Sequence, residues 1–242
     1  MKLNTNNNAY IIIYSAILVV IVAFLLAFVF QALKPMQDAN VALDTKKQIL
    51  NSLNIRGLDG AEAEAKYKEV VKKEENREGQ KIYECQINGQ DIMVTSLKGM
   101  GLWGGISGYV AIDKEGKVFG AYFNHESETA GLGAEIKDSQ AWQEKFIGKK
   151  IWDDKGNVVL SVVKKVEDPA SQVDCVTGAT LTSNGVDEMI KRTFGIWTGE
   201  YDFDVDESEL TKKLLKACLT GNDSISDAEL EKMLKVRKVK EE

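Results

Sequence analysis

The run Asp174-Cys175-Val176-Thr177-Gly178-Ala179-Thr180-Leu181-Thr182-Ser183 concentrates hydroxyls and small side chains in one short stretch. Small residues let a ligand approach the backbone closely, and hydroxyls both donate and accept hydrogen bonds. The run follows the apolar stretch Val158–Val166 and precedes one with helical periodicity that continues to about Trp197. A helix start presents unpaired N–H groups and the positive end of the helix dipole, which favours an anion and above all a phosphate. A phosphate attached near Thr180 would therefore be stabilised by structure the spacing already implies. The plainer reading is a helix cap, with Thr182 or Ser183 accepting from a backbone N–H.

Other chemistry is poorly supplied. Cys85, Cys175 and Cys218 lie far apart and His125 is the sole histidine, so no zinc-ligand spacing exists. No nucleophile-elbow motif accompanies His125, and no Gly-x-Gly-x-x-Gly follows a strand pattern. The net charge of −6 argues against nucleic acid as a partner, since neutralising phosphates takes a basic face. With 2 prolines in 242 residues, long Pro-rich linkers are not expected.

The elements that must position the run follow from periodicity. Tyr10–Leu33 is unbroken by charge, and about 21 apolar residues at 1.5 Å each span roughly 31 Å, enough to cross a hydrocarbon core. A cleaved signal peptide is the competing reading, opposed by the length of the apolar core. Tyr10 and Tyr14 suit the interfacial belt, whereas Lys2 on one side and Lys34, Lys46 and Lys47 on the other leave the orientation undecided. Lys34-Pro35 predicts a stop or kink. Two helices are expected after it, over Gln37–Leu53 and Ala61–Lys73.

From Lys81 the period changes to two. Lys81–Ile87 and Asp91–Leu97 flank Asn88-Gly89, a hairpin signal because both turn residues tolerate positive φ. Gly108–Ile112 and Lys117–Asn124 flank Asp113–Gly116, a second hairpin. Ser139–Phe146 reads as a short helix closed by Gly148, and Val158–Val166 as a further strand. Val186, Met189, Ile190, Phe194 and Trp197 give the last helix an i, i+3, i+4 apolar face. Strands in a run and then helices indicate an α+β fold. The expected organisation is a leader over residues 1–9, a transmembrane helix over 10–33 and a helical juxtamembrane segment over 34–75. A mixed domain of antiparallel strands and flanking helices follows over 76–199. Residues 200–242 form a charge-dense tail, with Leu210, Leu214, Leu215 and Leu219 on one amphipathic helix and Asp227–Leu234 on another.

Asp174-x-x-Thr177-Gly178-Ala179-Thr180 resembles the signal read by bacterial flavin transferases, in which the last threonine takes FMN through a phosphoester. Most of residues 1–197 resembles the C subunit of the Na⁺-translocating NADH:quinone oxidoreductases (Na⁺-NQR), a family with an FMN-binding domain. The matching residues are Leu33-Lys34-Pro35, Asp44-x-Lys46-Lys47-x-Ile49-Leu50, Gly101-Leu102-Trp103-Gly104 and Glu128-Thr129-Ala130-Gly131-Leu132-Gly133-Ala134-Glu135. The family usually has Pro where Ala130 stands and Ser where Thr177 stands, and the tail does not match.

The resemblance implies roles. Thr180 carries covalent FMN, Asp174 belongs to the transferase signal, and Gly178 and Ala179 admit the modifying enzyme. Thr177, Thr182 and Ser183 are candidates for the phosphate or ribityl chain. Glu128, Thr129, Leu132 and Gly133 border the isoalloxazine ring, and Leu102 and Trp103 pack near it. The bland competitors are a core or interface aromatic for Trp103, a solvated carboxylate for Glu128, a structural or surface His125 and a small buried Cys175.

The implied function is an electron relay in a membrane complex that couples NADH oxidation and quinone reduction to sodium export. Its partners are the other subunits, the flavin transferase and the lipid bilayer, in a bacterial inner membrane with the main domain periplasmic. In that oxidising compartment one disulfide is possible among the cysteines, of undetermined pairing. The related flavin-bearing G subunit of Rnf-type complexes and an unflavinylated membrane-tethered assembly module remain alternatives.

Overall fold

The computed structural model describes residues 8–77 and 80–198. The residue 1–7 part of the leader, the tail from residue 199 with its two expected helices, and Cys218 lie outside the described residues. The chain divides into two units, Met1–Lys46 and Lys47–Glu242.

Helix α1 runs from Asn8 to Ser52 with Pro35 inside it, so the expected stop is not seen. A proline removes one intrahelical bond and crowds the preceding turn. Good helix formers on both sides, Gln31-Ala32-Leu33 and Met36-Gln37, carry the helix through. In the first unit the apolar side chains from Ile11 to Leu33 are exposed on all faces. Among the described residues, this one helix is long and apolar enough to cross a membrane. Tyr10 and Tyr14 stack on one another at its start, with ring centroids 6.2 Å apart.

The second unit is α+β. Five strands form an antiparallel meander in the order β1 (Val71–Arg77), β2 (Gln80–Ile87), β3 (Gln90–Met100), β4 (Gly105–Ile112) and β5 (Val118–His125). The β2–β3 turn is the expected one: Ile87 pairs with Gln90, and Asn88 and Gly89 take φ of 51° and 80°. Strand β1 departs from the expectation of helix to Lys73. Helix α2 (Gly60–Val70) ends before it, and the charged sequence Val71–Arg77 pairs along β2 as an edge strand. Its charges hide the alternation that would have announced a strand, and they suit an unpaired edge.

Helices α3 (Glu135–Asp138) and α4 (Gln140–Glu144) follow β5. Ser139 caps α4 by accepting from the Trp142 N–H at 3.3 Å. The expected strand Val158–Val166 shrinks to β6 (Ser161–Val163), paired in parallel with β7 (Gln172–Asp174). The turn between them is closed by Asp168, whose carboxylate accepts from Ser171 Oγ and the Ala170 N–H. Helix α5 (Thr180–Thr198) packs on β3 and β6, with Val186, Met189, Ile190 and Phe194 buried in the core. Asp187 ties it to β6 by accepting from the Val162 N–H at 2.7 Å. Gly99 and Gly185 let helix and strand approach. A Cβ on Gly99 would sit 2.9 Å from Met189 Cβ, and one on Gly185 would run into the Met100 carbonyl.

Candidate functional site

Three turns and one helix end meet around the hydroxyl-rich run. The β3–β4 turn is closed by the Gly101 N–H donating to the Gly104 carbonyl at 2.8 Å, which leaves Leu102 and Trp103 at its tip. Both are exposed, Trp103 to 66%. That exposure removes the core reading of Trp103 and leaves the interface aromatic and the flavin contact as its readings.

The β5–α3 turn carries the Gly-rich run. The Thr129 carbonyl accepts from the N–H groups of Leu132 and Ala134, which curls the turn and leaves Leu132 43% exposed. Glu128, at its start, is only 7% exposed and is not a solvated carboxylate. Its Oε1 accepts from the Trp103 N–H at 2.8 Å and its Oε2 from Thr182 Oγ1 at 2.6 Å. His125 is structural in the same turn, with Nδ1 accepting from the Glu128 N–H at 3.2 Å.

The β7–α5 turn presents Thr177 and Gly178 to solvent and leaves Thr180 partly exposed. Gly178 sits at φ 79°, where an added Cβ would also lie 2.8 Å from Leu132 Cδ2. Helix α5 begins at Thr180, with Ser183 N–H donating to the Ala179 carbonyl. The cap is therefore not Thr182 or Ser183, as the sequence suggested, but Ala179, which has no side-chain acceptor for the first-turn amides. Thr182 and Ser183 lie inside the first turn, and both are buried. Thr182 donates to Glu128, while Ser183 Oγ accepts from the Val176 N–H at 3.0 Å. Their oxygens are engaged within the fold. Leu181, beside Thr180, is 59% exposed and adds an apolar surface that the helical pattern did not single out.

Asp174 ends β7. Its carboxylate pairs with Lys145 Nζ at 2.8 Å, and its carbonyl accepts from Trp142 Nε1 at 2.8 Å. Neither partner was legible in the sequence, because the α4 region is far from Asp174 along the chain. Cys175 is half-buried, and it and Cys85 are free thiols, so they do not pair with one another.

Comparison with known proteins bears on this arrangement. The FMN-binding domain family matches residues 101–194, which hold all three turns and most of α5. A solved structure of the C subunit of Na(+)-translocating NADH-quinone reductase from Parabacteroides distasonis is 34% identical. The match covers 66% of this chain and 92% of that one, with a TM-score of 0.61. The chain belongs to the family of these C subunits. Relatives of that name in Neisseria meningitidis serogroup B and Yersinia pestis are 37% and 39% identical over 147 and 128 residues. Those matches cover 59% and 50% of this chain and 50% and 46% of the relatives, so the chain spans about half the length of the curated proteins it matches. The structure of Shewanella oneidensis NqrC, at 21% identity and a TM-score of 0.54, shares the fold; that match covers 63% of this chain and 91% of that one.

The residues present fit an FMN group on their own terms. An uncapped helix start at Thr180 suits a phosphate. Exposed Leu102, Trp103, Leu132 and Leu181 offer apolar surface for a planar ring, and Gly178 leaves the approach to Thr180 free of a side chain.

Proposed function

We propose that this member of the C-subunit family carries FMN covalently on Thr180 and relays electrons within a membrane complex that oxidises NADH, reduces quinone and exports sodium. The observation that carries the reading is the placement of Thr180. It is partly exposed at the first position of α5, beside Gly178 at positive φ, in a run matching the flavinylation signal. When bound, FMN supplies the redox chemistry; the chain supplies attachment, orientation and surroundings. Thr180 offers the oxygen of the phosphoester. The first-turn amides of α5 would hold the phosphate, and Thr177, exposed in the preceding turn, would donate to it. Thr182 and Ser183 shape the turn from inside. Leu102, Trp103, Leu132 and Leu181 would shield the ring from water, and the turn of Glu128, Thr129, Leu132 and Gly133 would border it.

Asp174 is proposed as the transferase's recognition residue, held at the surface by Lys145 and Trp142. Residues 10–33 are proposed as a single-pass anchor in a bacterial inner membrane and residues 76–199 as the periplasmic flavin domain. Partners are the lipid bilayer, the flavin transferase during maturation and the other subunits of the complex. The redox turnover belongs to the assembled oxidoreductase rather than to this chain alone.

Intact mass and visible absorption, measured after co-expression with a flavin transferase, test the attachment. Wild type should be yellow after denaturation and heavier by one FMN, whereas Thr180→Val should be colourless and unmodified. An unmodified wild-type mass, or a yellow Thr180→Val adduct, would overturn it.

A further inference from the structure

We propose that Glu128 is the positioning residue of this site: its buried carboxylate locks the Trp103 turn and the first turn of α5 into one register. The inference rests on the reading of Thr180 as the flavin-bearing residue. Its basis is a convergence of contacts on one side chain. Oε1 accepts from the Trp103 N–H at the tip of the β3–β4 turn. Oε2 accepts from Thr182 Oγ1, two residues beyond Thr180 on α5. The Glu128 N–H donates to His125 Nδ1 at the end of β5, and Ser127 Oγ donates to the Trp103 carbonyl at 2.9 Å.

Two glycines are pressed against the same carboxylate. A Cβ on Gly101 would run into Oε1, and one on Gly133 would run into Oε2. The backbone on both sides is thus cut to fit the carboxylate, which leaves no slack for it to swing away. A carboxylate withdrawn from water is stable only while its oxygens are hydrogen-bonded. The two donors that satisfy this one, Trp103 and Thr182, come from segments far apart in the chain. Each donor holds the other's segment through the shared acceptor. The group that would contact the ring is Trp103, and the group that would bear the phosphoester is Thr180. Glu128 bonds to neither of those side chains; it sets the distance between them. A second consequence follows from the same geometry. Trp103 has 66% of its surface in water, and only a tethered backbone can keep so exposed an indole in one place.

The test uses the full chain, co-expressed with the flavin transferase, as wild type, Glu128→Ala, Glu128→Gln, Thr182→Val and Thr182→Ser. Glu115→Gln, an exposed carboxylate in the β4–β5 turn, serves as the control. The readouts are the rate of covalent flavin incorporation by mass and the fluorescence and absorption of the attached flavin, each taken below the melting temperature of the variant. Removing an acceptor from buried donors should slow incorporation by about tenfold in Glu128→Ala. The flavin that does attach should fluoresce like free FMN in water, because Trp103 no longer lies against it. Glu128→Gln keeps one acceptor and should fall between. Thr182→Val should repeat the loss and Thr182→Ser, which keeps the hydroxyl, should restore both signals. Folded Glu128→Ala and Thr182→Val proteins with wild-type incorporation and wild-type flavin spectra would overturn the positioning role alone. A wild-type chain that stays unmodified would overturn it together with the flavin reading.

Discussion

At the scale of single residues, two side-chain environments have direct consequences. Gly178 has φ 79°, and its missing Cβ leaves room for Leu132. An L-residue in that left-handed region costs about 1–2 kcal/mol before any clash. Gly178→Ala should therefore lower the melting temperature by about 2–8 °C in thermal denaturation and should also slow flavin attachment, because the added methyl pushes on Leu132 beside Thr180. The second case is Cys85 on β2. Burial pushes its thiol up to about 12, and burial likewise raises the nearby Tyr67 and Tyr83 hydroxyls. A group whose folded pKa is raised contributes stability that is complete below its unfolded pKa and is lost as pH rises toward the folded value. Cys85 should accordingly resist alkylation in the native protein at about pH 8 and react once the protein is denatured. Stability in urea titrations should fall from about pH 8.5 toward 12, less steeply in Cys85→Ala. The sequence showed neither effect. Gly178 was readable as a small residue near a ligand, but the neighbour that needs it small, Leu132, comes from another turn.

At the scale of elements, the helix that carries Thr180 is fastened by its far end as much as by its start. Phe194 is fully buried against Trp152 and Trp197, with ring centroids 5.6 and 5.7 Å away. Trp197 Nε1 then donates to Gln80 Oε1, joining α5 to the start of β2. Phe194→Ala should cost about 3–5 kcal/mol, read as a lower urea midpoint with little change in slope. The spacing of Val186, Met189, Ile190, Phe194 and Trp197 announced this face because a helix repeats every 3.6 residues, and the stripe is buried up to Phe194 and partly buried at Trp197. The hairpin at Asn88-Gly89 was equally legible, since few residues accept two successive positive φ values. Strand β1 was not, because an edge strand can be charged at every position, and charge carries no period. Pro35 misled for a related reason. Local sterics oppose helix there, yet the neighbouring turns retain enough hydrogen bonds to carry α1 through.

At the scale of the whole molecule, the two units carry different surfaces. The apolar stretch of α1 shows hydrophobic side chains on every face, which in water would be a large unfavourable area and in lipid is the expected surface. The full chain should sediment with membranes and be released by detergent. Replacing Val22 and Leu25 with lysine adds about 2.5–3.5 kcal/mol per charge near the centre of a spanning helix. Val22→Lys/Leu25→Lys should therefore move the protein into the soluble fraction on cell fractionation. The second unit keeps its own core, built around Phe123, Trp142 and Phe146 with centroids 5.1–5.6 Å apart.

The residues proposed to bear chemistry could be named along the chain, because the run Asp174–Thr180 is contiguous. So could the apolar helix, the hairpins and the α+β class, since each is a local pattern repeated over several residues. What the tertiary structure decided is which distant groups share a neighbour. Glu128, Trp103 and Thr182 lie on three separate segments, and only the folded sheet with α5 packed on it brings two donors to one carboxylate. The same holds for Asp174, whose partners Lys145 and Trp142 come from α4 and its end. Periodicity records how a segment meets its surroundings on average, whereas a hydrogen bond between segments depends on distances that only the closed chain defines.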